Sequence, residues 1–77
     1  MLIYVESHAG MRQYTAHLGP EGELEVPDGA TVREVLALLQ VPQGQPSVHL
    51  VNGRSRPYDH ALHSGDKMVF FPPLEGG

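Results

Sequence analysis

The chain has 77 residues, enough for one domain around a single small core and too few for a deep catalytic pocket beside it. It contains no cysteine, which excludes a disulfide framework, a thiolate nucleophile and any cysteine-held zinc or iron–sulfur site. Five Lys plus Arg against nine Asp plus Glu give a formal charge of −4, the wrong sign for a phosphate backbone, so no nucleic-acid partner is expected.

The first residues, Met1 to Glu6, are β-branched and aromatic, with Ile3 and Val5 facing one way and Tyr4 and Glu6 the other, as in a half-buried strand. They hold neither a basic leader nor an apolar run of spanning length, so no membrane segment is expected and the reading is a soluble, cytoplasmic domain. Gly10 suggests a turn, Gln13 to Leu18 a second strand, and Gly19-Pro20-Glu21-Gly22 another turn. Glu23-Leu24-Glu25-Val26 alternates polar with apolar residues and stops at Pro27-Asp28-Gly29, which predicts a short strand. Thr31 with Glu34 three residues later is a capping box, in which each side chain satisfies an amide at the start of a helix. Val32, Val35, Leu36 and Leu39 then form one apolar stripe, and the helix is expected to reach about Gln40 before Val41-Pro42. Ser47 to Val51 reads as a strand, Asn52-Gly53 as a two-residue hairpin turn, and Tyr58 to Ser64 as a loop or short helical turn. Lys67 to Phe71 is the last strand, ended by Pro72-Pro73, which have no N–H to give to a ladder.

One amphipathic helix across one sheet lets so short a chain bury both apolar faces. The expected fold class is α+β, a β-grasp (ubiquitin-like) domain with a mixed sheet of four to five strands and one main helix across it. The first and last strands lie side by side in the middle of that sheet. The domain is expected over residues 1–73, with 74–77 as a flexible C-terminal tail ending in Gly-Gly.

Five histidines are many for this length, and His60 and His63 have the i, i+3 spacing that a helix would turn to one side. No third ligand accompanies them, and no metal site is expected. Arg54-Ser55-Arg56 is either a solvated hairpin tip or a contact for acidic groups. In the last strand Met68 and Phe70 share one face and Val69 and Phe71 the other, so one Phe fills the core. The other is either covered by a neighbouring segment or forms, with Leu74, an apolar patch for a protein partner. Gly76 and Gly77 have no Cβ, so they give the thinnest backbone a polypeptide offers. That backbone is either a frayed end or a segment that threads into another protein's active site. In the second case the α-carboxylate of Gly77 is the group that reacts, once a partner has activated it. No catalytic site is expected within the chain itself.

Several segments together resemble the ubiquitin-like sulfur carriers of the MoaD and ThiS type. They are Ile3-Tyr4-Val5, Thr31-Val32-Arg33-Glu34-Val35-Leu36, Val51-Asn52-Gly53, Leu62 with Gly65-Asp66, and Val69-Phe70-Phe71-Pro72-Pro73-Leu74-Glu75-Gly76-Gly77. The Phe-Phe-Pro-Pro run before Leu-Glu-Gly-Gly is most similar to the small subunit of molybdopterin synthase. The resemblance implies a carrier, not an enzyme, whose Gly77 is adenylated by an E1-like adenylating enzyme and then converted to a thiocarboxylate. Gly76 would give clearance in a narrow channel, and Phe71, Pro72, Pro73, Leu74 and Glu75 would meet partners. It implies no bound cofactor, with ATP and Mg²⁺ used by the activating partner, and a large synthase subunit and a sulfur donor protein as further partners. The product would serve molybdenum cofactor (molybdopterin) biosynthesis. The alternatives are a thiamine-type or tRNA-thiolation sulfur carrier, a ubiquitin-like protein modifier, or an interaction module with an inert tail. The connector between the helix and the Val48 strand is shorter than is usual for the molybdopterin subunit, a trait shared with the thiamine-type carriers.

Overall fold

The computed structural model describes residues 1–73. In chain order these form β1 (Leu2–Ser7), a 3₁₀ helix (Ala9–Tyr14), β2 (Glu23–Glu25), α1 (Val32–Leu38), β3 (Val48–Val51), β4 (Arg54–Ser55) and β5 (Lys67–Phe71). The five strands make one mixed sheet in the order β2-β1-β5-β3-β4. β1 and β5 run parallel at its centre, with Val5 opposite Met68 and Ser7 opposite Phe70, and the remaining pairs are antiparallel. This is the β-grasp arrangement expected from the sequence. Residues 74–77, assigned there to a tail, lie outside the described residues.

Alternation along the strands sends Ile3, Val5, Met68, Phe70 and Val51 to one face, where they meet Val32, Val35, Leu36 and Leu39 of the helical segment. The helix begins as its sequence dictates. The Thr31 hydroxyl accepts from the Glu34 amide at 3.2 Å, while the Glu34 carboxylate accepts from the Thr31 amide at 3.3 Å. Asn52 and Gly53 both have left-handed backbone, φ 52° and 83°, as the tight turn between β3 and β4 requires. Gly22 is required for a different reason. A Cβ there would lie 2.0 Å from the Val5 carbonyl oxygen, because the Val5 amide reaches across to the Gly22 carbonyl at 2.8 Å.

Two expectations are corrected. Gln13 to Leu18 is not a strand: the 3₁₀ helix runs through Tyr14, and turns follow it. A strand in the middle of a sheet has two edges, and those of β1 are taken by β5 and β2, so no ladder remains for this segment. Met11, fully buried, draws the 3₁₀ helix onto the core instead. The main helix also stops earlier than expected, at Leu38. Its end is a Schellman closure, with the Gln40 amide donating to Ala37 O and the Val41 amide to Leu36 O, both at 3.0 Å. Gln40 occupies the left-handed position, φ 64°, where glycine is usual. The Gln40→Gly variant is therefore expected to gain about 0.5–1 kcal/mol of stability through relief of that strain. A urea unfolding curve checks it, and an unchanged or lowered midpoint contradicts it.

Candidate functional site

The sheet face turned away from α1 is built from the alternate residues of each strand. In β5 it presents Lys67, Val69 and Phe71, while Met68 and Phe70 are fully buried beneath. The register places Val48 opposite Phe71 and Leu50 opposite Val69 from β3, and Tyr4 opposite Lys67 from β1. Val48, Leu50, Val69 and Phe71 are all partly exposed and form one apolar patch, while Leu2 and Tyr4, also partly exposed, lie on the same face beyond the Glu6–Lys67 pair. Charged residues flank it. Glu23 and Glu25 of β2 stand opposite Tyr4 and Leu2, and Glu6 is held by His8 at 2.6 Å and Lys67 at 3.7 Å. An apolar centre within a polar rim is the composition of a protein-docking surface.

Phe71 lies at the end of β5, and Pro72 and Pro73 follow it outside any strand, all three partly buried. Thus Phe70 is the core residue and Phe71 the surface one of the pair. Leu74, Glu75, Gly76 and Gly77 lie outside the described residues. The sequence pattern of β5 identified Phe71 and Val69 on one face, but it missed Val48 and Leu50 as their companions there, and Leu2 and Tyr4 farther along the same face. Period-two alternation was visible in each strand. Which strands are neighbours was not, and only the sheet order turns separate alternations into one patch.

His60 and His63 sit among turns, not on a helix, so their spacing does not align the imidazoles. Among the described residues no three metal-ligating side chains gather at one place. The His60 carbonyl accepts from the Val32 amide at 3.0 Å and the Tyr58 carbonyl from the Arg33 amide at 2.8 Å, so this loop is tied to the start of the helix. His49 is buried, with Nδ1 2.7 Å from the Arg56 carbonyl oxygen and its ring packed edge-on to Tyr58 at 4.4 Å between centroids. It is a core histidine. Arg54 and Ser55 form exposed β4 beyond the Asn52-Gly53 turn.

The sequence model of the ThiS family matches residues 9–77. Among curated protein sequences none matches significantly. Among solved structures, one from Pyrococcus furiosus assigned to molybdopterin converting factor subunit 1 is 28% identical, with a TM-score of 0.73 over 95% of this chain and 98% of that one. SAMP1 of Haloferax volcanii is 19% identical with a TM-score of 0.73, covering the whole of both chains, and is similar in fold. A complex of subunits 1 and 2 of the molybdopterin-converting factor of Helicobacter pylori gives a match at 19% identity and TM-score 0.58, again over both whole chains and again a likeness of fold.

Proposed function

Because the chain belongs to the ThiS family of ubiquitin-like sulfur carriers, we propose that it carries sulfur on the carboxyl carbon of Gly77 for molybdenum cofactor (molybdopterin) biosynthesis. The observation that supports this choice within the family is the 28% identity to the Pyrococcus furiosus protein across nearly all of both chains. The family match extends through Gly77, the residue to which the chemistry is assigned.

The chemistry needs a partner at each step. A carboxylate is a poor electrophile, so an E1-like enzyme with ATP and Mg²⁺ first makes it attack the α-phosphorus, giving an acyl adenylate and releasing pyrophosphate. Hydrosulfide, released by a donor protein, then attacks the carbonyl carbon, AMP leaves with the C–O bond's electron pair, and the proton is lost to water. The product is a thiocarboxylate, which delivers its sulfur to an acceptor held by the large synthase subunit. In this reading the chain contributes the reacting carbon and the docking surface, and the partners contribute the catalytic groups. Gly76 supplies clearance beside Gly77, and Pro72, Pro73, Leu74 and Glu75 link it to the sheet face. The setting is the cytoplasm, and no helix among the described residues is long and apolar enough to cross a membrane.

The deciding experiment is the intact mass of the chain after incubation with an E1-like enzyme, ATP, Mg²⁺ and sulfide, followed by addition of a large synthase subunit with its precursor. A gain of about 16 Da, oxygen replaced by sulfur, that is lost again only when subunit and precursor are both present is the expected result. A thiocarboxylate that forms but is not consumed there overturns the molybdenum assignment and favours the thiamine-type reading, which the short connector between α1 and β3 also fits. Docking is tested separately. Phe71→Ala is expected to weaken binding of the large subunit about tenfold or more while the fold is retained, because a partly exposed aromatic within an apolar patch is a usual anchor of an interface. Equal affinity of variant and parent places the interface elsewhere.

A further inference from the structure

A second concave surface lies beside α1, away from the sheet face that holds Phe71. It is a groove of about 590 Å³ between the helix, the connector to β3 and the Tyr58 loop, within the roughly 300–1,000 Å³ range of pockets that hold ligands. Leu36, Ala37, Val41, Pro42 and Pro46 give it apolar walls. Two charged residues line it, and they are not equivalent. The Glu34 carboxylate is engaged in the helix cap, accepting from the Thr31 amide and hydroxyl at 3.3 and 3.1 Å. The Arg33 guanidinium stands over the Tyr58 ring, 5.6 Å from its centroid, and has no carboxylate partner among the described residues.

The frame around this cation is fixed. The Arg33 amide is bonded to the Tyr58 carbonyl at 2.8 Å, Tyr58 is packed against buried His49, and the Tyr14 hydroxyl donates to Gln45 Oε1 at 2.9 Å, which holds the connector in place. One guanidinium without a counter-charge suits one carboxylate, bound bidentately. A phosphate-bearing ligand would call for more cations, and Arg33 is the single basic residue of the lining. The amides of Gln43 and Gly44, on the rim, have no backbone acceptor among the described residues, so they are open to the carbonyls of an extended peptide.

We propose that this groove is a second protein-docking site, which takes an extended peptide segment of a partner bearing an aliphatic side chain next to a carboxylate. The aliphatic group enters between Leu36, Val41 and Pro46, and the carboxylate meets Arg33. The site does not depend on the carrier chemistry at Gly77. It lies on the helix side, so both surfaces accept partners at once.

The test is an NMR titration of the full chain, ¹⁵N-labelled, with acetyl-Ala-Ile-Asp-Ala-amide. Expected are shifts at Ala37, Val41, Gln45 and Tyr58 at millimolar peptide, and no comparable shifts with acetyl-Ala-Ile-Lys-Ala-amide or acetyl-Ala-Ala-Asp-Ala-amide. Arg33→Gln, an exposed position whose spectrum reports on its own fold, should weaken binding about fivefold, the scale of one partly exposed ion pair. Phe71→Ala should leave it unchanged. The proposal is overturned by equal binding of the lysine peptide, by an unaffected Arg33→Gln variant, by shifts confined to Tyr4, Val69 and Phe71, or by no shifts at all. Shifts that grow with protein concentration alone would assign the groove to a second copy of the chain. Binding that emerges only after deletion of residues 74–77 would assign it to the chain's own end, and either outcome overturns a partner peptide as occupant.

Discussion

Deleting Gly77 is expected to abolish thiocarboxylate formation while leaving the thermal unfolding midpoint of the domain where it was. The deletion keeps a glycine and a carboxylate at the end of the chain but draws the reacting carbon back by one residue, about 3.3–3.6 Å of extended backbone. A displacement of even about 1 Å from a productive alignment costs on the order of 10²-fold in rate, so no gain of about 16 Da should be seen on the timescale of the parent reaction. Stability should not follow, because the core is closed by residues between Ile3 and Phe70. The two readouts are intact mass and a circular-dichroism melt on the same preparation. A truncated chain that is loaded with sulfur at the parent rate removes the terminal carboxylate of Gly77 from the mechanism.

The second large effect concerns the neighbour of the docking residue. Phe70 is fully buried on the central strand, opposite Ser7 of β1 and His49 of β3, under the apolar stripe of α1. Phe70→Ala is expected to cost about 3–5 kcal/mol, the sum of lost transfer energy and the cavity left behind. At roughly 0.05–0.15 kcal/mol per residue a domain of this size holds only about 4–12 kcal/mol in all, so the variant should lose between about a quarter and all of its stability. Urea denaturation followed by far-UV dichroism measures the loss. Phe71→Ala, one residue away on the opposite face, should shift the same curve far less. Similar losses for the two variants would mean that the face assigned to docking is packed against something in the folded chain.

What could be read from the sequence was what is decided locally. The capping box at Thr31 and Glu34, the stripe of Val32, Val35 and Leu36, the Asn52-Gly53 turn and the alternation of Lys67 to Phe71 each depend on residues a few positions apart, and each stands in the structure as expected. The misses depend on distant partners. Nothing near Gln13 announces that both edges of β1 are taken by Glu23–Glu25 and by the last strand, which is why the segment after Ser7 turns into a 3₁₀ helix anchored by Met11. The helix end at Leu38 was hidden because its left-handed position holds Gln40 in place of the glycine that marks such an end. For the site, Phe71 was visible from alternation alone. The rest of its apolar patch, contributed by β3, became visible only with the strand order.

The parallel pairing of β1 with β5 also bears on how the molecule is made. The strand translated after the other four belongs in the middle of the sheet, between β1 and β3. A nascent chain on the ribosome cannot close the layer over Ile3 and Val5 until Met68 and Phe70 have left the exit tunnel. Folding must then wait for a contact between strands far apart in the sequence, the kind of long-range closure that slows small α/β domains relative to helical ones. Products terminated before Lys67 lack the central strand and should be open to proteases, whereas each copy that survives as a folded domain has been translated through the strand that presents Val69 and Phe71.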